Sequence, residues 1–351
     1  MKINQYLYKE IALPFIFITG VLLALLISTE LSETLTKVLT GQYSSNAILV
    51  IIGYQSVLLL PEVIPAAYFL ACLTTLNRFS QDSERAIYNS IGISDAQILK
   101  GLLIATATPI FLIVILLQNI ICPIANNELN SFVDQQRNRP ITDIVQPKTF
   151  ASIGKMNSTL FAGSAETNTG LLKDIFTVNK AGDKLTVIIG ENASTQNTDN
   201  GQILIIENGQ QTAFSFSPNS STRQESFGSL SYLIEPSTSN SASQKAHSKT
   251  SIELAQENSR VNNIEIADRI NSALLIPLFC LWAVALTRFK PRSAKAGAMA
   301  TGIFFYILTN FSYRTIESGF SKTNWSIYLS PWWFFLALAF FGLLLIQRKT
   351  R

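Results

Sequence analysis

Long apolar runs constrain this chain most, because a run of about 20 apolar residues is long enough to cross a bilayer as a helix. Only 14% of the 351 residues are charged, against about a quarter in an ordinary soluble domain. Six apolar runs fall into two groups of three, one at each end of the chain: residues 11–27, 42–76, 98–121, 270–289, 297–312 and 329–346. The pattern predicts an α-helical membrane protein with six transmembrane helices.

Internal prolines predict kinks in the second and third of these spans. Pro61 and Pro65 lie in the second span, and Pro109 lies in the third. A proline removes a backbone donor and kinks a helix, which is tolerated where neighbouring groups satisfy the freed carbonyl groups. We therefore expect kinked spans inside a bundle. Glu62 follows the first of these prolines, and we expect it to face the bundle interior or the membrane surface, because a lipid-facing carboxylate is costly.

Lysine and arginine near the span ends predict the orientation. With six spans, both termini and the loops at residues 78–100 and 288–295 share one side and carry most of the lysine and arginine residues that lie near span ends. The short loops on the opposite side contain only Lys37, Arg314 and Lys322. The positive-inside rule then places both termini in the cytoplasm.

The middle region, residues 126–265, is rich in polar residues and contains no run long enough to span a bilayer. Short β-branched runs alternate there with turn signals such as Asn208-Gly209. This pattern predicts an external antiparallel β domain, built as a sandwich, a roll or a partly open barrel. Residues 236–251, PSTSNSASQKAHSKTS, are of low complexity and are predicted to be disordered. The predicted organisation is therefore a helical half at 1–125, a β domain at 126–265 and a helical half at 266–351.

The residues give little support to an enzyme. No loop of the form G-x-x-x-x-G-K-[ST] occurs in the chain, so we do not expect it to hydrolyse nucleotide. Cys72, Cys122 and Cys280 lie in or beside apolar runs, where a free cysteine behaves as a small apolar residue, and they predict no disulfide or metal site. The one histidine, His247, lies in the low-complexity stretch and is interpreted as a solvated loop residue. No cofactor is expected.

A polar island, residues 80–94 (SQDSERAIYNSIGIS), separates the second and third predicted spans. A helix over residues 82–89 would place Glu84 and Tyr88 on one face, four residues apart. Two interpretations of the island are open. One is a solvated connecting helix, and the other is a cytoplasmic coupling helix that docks into a soluble motor subunit through charged contacts at Glu84 and Arg85.

The island resembles the S-E-x-x-x-x-x-x-x-G-x-S signature of the lipopolysaccharide export permeases, the LptF/LptG (YjgP/YjgQ) family. Residues 4–10 are similar to the family's opening R-Y-L-x-x-E, and residues 290–297 are similar to its basic loop N-P-R-x-G-R. Residues 160–162 and 173–176 resemble a strand pair of LptF, which favours that branch over LptG. The resemblance covers nearly the whole chain, although Pro291-Arg292-Ser293 departs from the family pattern.

The resemblance implies a permease subunit of an ABC exporter in the bacterial inner membrane, with a periplasmic β-jellyroll-like domain. Its substrate would be lipopolysaccharide, and its partners would be the homologous permease LptG, a dimer of the cytoplasmic ATPase LptB, and LptC. Glu84, with Arg85 and Tyr88, would contact the ATPase. Two other functions stay open, namely a permease for another lipid or lipoprotein and a membrane receptor or assembly factor.

An anionic lipid with several acyl chains needs cations for its phosphates and apolar surface for its chains. Lys37, Arg314 and Lys322 are the candidate phosphate-binding residues, although Lys37 is also interpretable as a lysine that snorkels to the membrane surface. Phe161 and Phe176 are candidates for the acyl path, and packing in the domain interior is the alternative for each.

Overall fold

In the computed structural model of the protein, the described residues are 2–39, 43–82, 84, 88, 90, 92, 94–137, 150–153, 158–166, 171–181, 184–198, 201–215, 222–234, 246–257, 259–287, 295–322 and 332–348. They fall into two compact units. The helical unit contains Met1–Ile27, Ser56–Asn127 and Ser241–Arg351, and the sheet unit contains Ser28–Gln55 and Glu128–Asn240. The domain limits predicted from the sequence stay a prediction.

Most of the described helices contain the apolar runs of the sequence, whereas α5 and α6 are more polar and lie outside those runs. They are α1 (Lys2–Leu39), α2 (Ala47–Gln81), α3 (Asp95–Leu102), α4 (Thr108–Leu116), α5 (Cys122–Arg137), α6 (Ser251–Glu257), α7 (Arg260–Leu286), α8 (Lys295–Lys322) and α9 (Trp332–Arg348). Four stretches of the described chain are long and apolar enough to cross a membrane: Tyr8–Leu39, Ala47–Gln81, Asp95–Gln136 and Arg260–Leu286. A shorter apolar helix covers Trp332–Gln347. The predicted membrane class is confirmed, and the count of six spans stays a prediction.

Two π-helical turns, Leu103–Ala107 and Leu117–Ile121, join α3, α4 and α5 into one continuous helical stretch. Each turn ends two residues before a proline, Pro109 or Pro123. In a regular helix, a proline clashes with the carbonyl group four residues earlier. That carbonyl group lies inside the π turn in both cases, and the backbone N–H that follows each turn bonds the carbonyl group five residues earlier. The irregularity expected at Pro109 is therefore a widened turn.

Helix α7 is the centre of the helical unit. In its most apolar window 72% of the residues are buried, against 6% in α1. Phe69 of α2 packs on Phe279 of α7 with ring centroids 4.8 Å apart, and Trp282 stacks on Phe305 of α8 at 4.1 Å. The indole N–H of Trp282 donates to the carbonyl group of Leu338 in α9 at 3.2 Å. Helices α2, α8 and α9 are thus packed around α7.

The described strands form one six-stranded antiparallel sheet. They are β1 (Phe150–Ile153), β2 (Ser158–Glu166), β3 (Leu171–Ala181), β4 (Lys184–Thr198), β5 (Gly201–Ser215) and β6 (Arg223–Ile234). Neighbours in the sheet are also neighbours in the chain, which makes the sheet an up-and-down meander. The predicted antiparallel β class is confirmed. The jellyroll-like arrangement is corrected for these strands, because a jellyroll needs Greek-key crossovers and the short connections here hold each strand beside the previous one.

A crease runs across the sheet at a row of positions that the strand register skips: Gly163, Asp174, Glu191, Asn208 and Gly228. Asp174 and Asn208 have left-handed backbone conformations, with φ of 54° and 51°. Leu172 and Ile175 lie three residues apart on either side of the crease, and yet both are buried. Regular alternation would put them on opposite faces. The crease therefore lets one face of the sheet bury a single apolar cluster.

The turn predicted at Asn208-Gly209 is wrong. Strand β5 continues from Gly201 through both residues to Ser215. The left-handed Asn208 contributes to the crease and does not reverse the chain, because β4 and β6 pair with β5 on both sides of it. A left-handed residue thus bends a strand that its neighbours hold in the sheet.

We expect Gly209→Ala to destabilise the sheet by about 1–3 kcal/mol, because an added methyl group would be overpacked. A Cβ at Gly209 would lie 2.4 Å from the Ile189 carbonyl oxygen and 2.5 Å from the Phe227 ring. Gly228→Ala is the matched control, since a Cβ there meets nothing within 4 Å. Hydrogen exchange of β4 and β5 amides in the full-length protein measures the difference. Equal exchange in both variants would contradict this account of Gly209.

Candidate functional site

A cavity of about 1120 Å³ lies in the helical unit, among α1, α2, α7 and α8. Its volume slightly exceeds the range of about 300–1,000 Å³ that is typical of small-molecule sites. Leucine and isoleucine side chains supply much of the wall, among them Leu22, Leu25, Leu58, Leu70, Ile303 and Ile307. This part of the cavity can hold an apolar ligand or an apolar part of one.

Charged and titratable side chains also line the cavity: Glu62, His247, Glu265, Asp268, Arg269, Arg314 and Glu317. These residues comprise four carboxyl groups, two guanidinium groups and one imidazole group. The cavity is therefore amphipathic. An apolar wall beside a few charged groups suits a ligand that has both apolar and charged parts.

Arg269 is buried, with 5% of its surface exposed, and its donors are occupied by protein groups. Its Nε donates to Glu265 Oε1 at 2.9 Å, and its Nη1 donates to Ser251 Oγ at 3.1 Å. Its Nη2 donates to the carbonyl groups of Lys249 at 3.0 Å and Ala246 at 3.4 Å. These bonds fix residues 246–251, which we call the strap, onto α7. Arg269 therefore has a structural role here and offers few donors to a ligand.

His247 belongs to the strap. Its Nδ1 lies 2.9 Å from Glu265 Oε2, so the interpretation as a solvated loop residue is wrong, although the side chain is about half exposed. The hydrogen bond with the Glu265 carboxylate raises the pKa of the imidazole, although burial opposes the shift. The disorder predicted for residues 236–251 is also wrong for the strap, because Arg269 binds its backbone. Residues 236–245 lie outside the described part of the chain.

Glu62 and Arg314 form an ion pair between α2 and α8. Both side chains line the cavity, and 58% of Glu62 and 69% of Arg314 is exposed. Next to Arg314, the hydroxyl group of Tyr313 donates to Asp268 Oδ1 at 2.6 Å. Arg314, a predicted phosphate-binding candidate, is therefore an accessible cation in the cavity wall, held by one carboxylate.

The other two predicted cations lie elsewhere in the chain. Lys37, in the last turn of α1, pairs with Glu33 at 2.6 Å, and its Nζ lies 5.9 Å from the ring centroid of Tyr43. Lys322 is the last residue of α8, and its side chain lies outside the described part of the chain. Their proposed contact with substrate phosphate stays a prediction.

Phe161 and Phe176 are cross-strand partners in a row of apolar side chains on the sheet. The row also contains Phe150 and Ile189, and we call these four residues the apolar row. Alternation along the strands puts the row on the face opposite the buried cluster. Phe150 is 64% exposed and Ile189 is 56% exposed. Within the described part of the chain, the row is available to an apolar partner.

The polar island is described only in part. Helix α2 continues to Gln81, and Glu84 and Tyr88 have helical backbones. Burial raises the pKa of Tyr88, and the negative charge of Glu84 adds to this rise. Gly92 has a φ of +86°, a left-handed conformation that favours glycine. Arg85 lies outside the described residues, and the coupling role of the three predicted contact residues stays a prediction.

Helix α3 begins directly after the island. Ser94 Oγ accepts from the Gln97 backbone N–H at 3.4 Å, and Gln97 Oε1 accepts from the Ser94 N–H at 2.9 Å. This reciprocal pair is a capping box, which satisfies backbone donors at the start of the helix. The island therefore ends at a defined helix start.

Comparison with protein families gives one finding that covers nearly the whole chain. A family model described as "Lipopolysaccharide export system permease LptF/LptG" matches residues 5–348. A comparison with curated proteins found no match. The family model includes both the LptF and LptG branches, so the choice of LptF over LptG stays a prediction.

We expect the strap to loosen as the pH rises, because the His247–Glu265 ion pair needs a protonated imidazole. Because folding raises the pKa of His247, the stabilisation of the strap by this ion pair is fully present below pH 6.5, the ordinary pKa of histidine. The stabilisation is lost as the pH rises through the folded-state pKa. The charge of Asp268 also raises the pKa of His247, whereas the charge of Arg269 lowers it. Since the side chain is half exposed, the pair contributes at most about 1 kcal/mol.

Hydrogen-exchange protection of the strap amides, measured from about pH 6 to about pH 8, tests this expectation. Protection should fall with pH in the wild-type protein and should be independent of pH in His247→Gln. Lys249→Gln is the control, because it removes a different exposed ion pair, with Glu257. The same fall in protection in His247→Gln would show that the histidine is not the titrating group.

Proposed function

We propose, since the chain belongs to the LptF/LptG family of lipopolysaccharide export system permeases, that it is a membrane-spanning subunit of an exporter that extracts lipopolysaccharide from the bacterial inner membrane and passes it to a periplasmic bridge. The observation that carries this proposal is the family match over residues 5–348. The four long apolar helical stretches and the amphipathic cavity support it.

The cavity suits the chemistry of this substrate. Lipopolysaccharide carries several acyl chains and phosphate groups on one molecule. The leucine-rich wall offers apolar surface for the chains, and Arg314 offers a guanidinium group, which binds phosphate oxygens in bidentate geometry. We therefore assign substrate binding to this cavity, with Arg314 as the phosphate-binding residue. Lys37 does not line the cavity, and Lys37 and Lys322 stay candidates for separate phosphate contacts.

Extraction of such a lipid needs an external energy source. Removing an acyl chain from a bilayer costs about 0.8 kcal/mol for each buried CH₂ group, and several chains must leave together. The sequence contains no G-x-x-x-x-G-K-[ST] loop, so the energy would come from another chain. In this proposal a dimer of the cytoplasmic ATPase LptB supplies it.

The proposed topology has six spans with both termini in the cytoplasm. Helices α8 and α9 would supply the fifth and sixth spans, in addition to the four long stretches. The sheet formed by β1 to β6 would then lie in the periplasm, where it would meet LptC. A homologous permease, LptG if this chain is LptF, would complete a heterodimer.

The polar island is proposed as the coupling helix. Glu84 and Tyr88 lie one helical turn apart and are both only partly exposed. With both termini in the cytoplasm, the island faces the side on which the ATPase works. Glu84 would make the principal contact, with Arg85 and Tyr88 beside it.

Glu84→Ala should weaken co-purification of the ATPase and reduce ATP-dependent lipid export by about tenfold, the effect of losing one charged hydrogen bond. Gln81→Ala, at the exposed end of α2, is the control and should leave both unchanged. A receptor or assembly factor would tolerate the loss of Glu84. Normal ATPase association and normal function in Glu84→Ala would therefore favour that alternative over any transporter.

The apolar row is proposed as part of the acyl path. A photocrosslinking amino acid at Phe176 should capture lipopolysaccharide in cells, and the yield should depend on ATP supply. The same amino acid at Leu172, which is fully buried in the same strand, should capture none. Equal yields at the two positions, or a yield at Phe176 that is independent of ATP, would exclude this path.

A further inference from the structure

We propose that Glu62 competes with substrate phosphate for Arg314, so that a phosphorylated lipid must displace a carboxylate of the protein to occupy the cavity. This inference rests on the proposed function, because it requires a phosphorylated lipid as cargo. It adds a residue that weakens phosphate binding, and it gives a role to the ion pair between α2 and α8.

Arg314 is the cation that an anion can reach. Of the two arginines among the cavity-lining residues, Arg269 is 5% exposed and already donates to four protein groups. Arg314 is 69% exposed and donates through Nη2 to Glu62 Oε1. A phosphate in this cavity therefore meets the guanidinium group of Arg314, together with the carboxylate that it binds.

Glu62 is the carboxylate best placed to compete. Glu265 is held by His247 and Arg269, and Asp268 accepts the hydroxyl group of Tyr313. Glu62 is bound to Arg314 and remains 58% exposed, so its side chain has room to leave. Its departure also removes this ion-pair contact between α2 and α8.

The exchange is favourable for a phosphate and not for a neutral headgroup. An exposed ion pair between single charges contributes only about 0–1 kcal/mol. A phosphate presents more charge and more oxygens, and it can accept two hydrogen bonds from one guanidinium group. A neutral headgroup cannot replace the charge of Glu62, so it leaves the Glu62–Arg314 pair in place. Glu62 therefore lowers the affinity of the cavity for phosphorylated lipid and leaves its affinity for a neutral lipid unchanged. It can bind the guanidinium group again when the phosphate leaves.

Binding of lipid A, with and without its phosphates, to the complete permease–ATPase complex in detergent tests the inference. Glu62→Gln frees Arg314 without a change in side-chain size. We expect it to tighten binding of phosphorylated lipid A by about threefold to fivefold, the equivalent of one exposed ion pair, and to leave binding of the phosphate-free lipid unchanged. Arg314→Gln should remove the preference for phosphates, and Glu62→Gln should have no effect in that background.

Glu317→Gln is the matched control, because it removes one carboxylate from the same cavity and leaves the Glu62–Arg314 pair intact. If it tightens binding as much as Glu62→Gln, the effect is one of net charge and the inference is wrong. Unchanged affinity in Glu62→Gln, with a wild-type preference for phosphates, would also overturn the inference while the proposed function stands. A wild-type complex that binds neither lipid would instead contradict the proposed function.

Discussion

Charged side chains in helices that cross a bilayer must find partners within the protein, because lipid offers none. In the helical unit these partnerships join separate elements of the chain. Glu10 pairs with Arg78 and joins α1 to α2. Glu62 pairs with Arg314 and joins α2 to α8. Arg269 binds the strap and joins it to α7. The same requirement places charged side chains in the cavity wall together with apolar ones. The amphipathic site is thus a consequence of how the helices are held together.

Backbone groups obey the same constraint. Two prolines in the third apolar stretch would each break the helical hydrogen-bond pattern, and a π turn precedes each of them. Both turns also place polar side chains against neighbouring helices. Thr106 bonds the hydroxyl group of Tyr68 at 2.7 Å, and the Gln118 amide donates to Ser272 at 2.6 Å. The widened turns thus keep the stretch helical and supply contacts that fix it in the bundle.

The sequence predicted those features that depend on periodicity and length. Apolar runs indicated the helices and alternating runs indicated the strands, because burial of apolar surface determines both patterns. The crease was missed because Asn208-Gly209 is typical of a hairpin turn, and only pairing with strands on both sides keeps it within β5. The strap was missed because its composition suggests disorder, whereas its order depends on Arg269. Arg314 was identified from its place near a span end, but its partner Glu62 lies 252 positions away.

Identification of what co-purifies with the full-length protein from native membranes, in mild detergent, tests the central claim most directly. We predict that mass spectrometry will find a homologous permease, a cytoplasmic ATPase and bound lipopolysaccharide in the complex, and that ATP will release the lipid to an acceptor. A complex without an ATPase, or one that carries only a different lipid, would contradict the account of this chain as a lipopolysaccharide export permease.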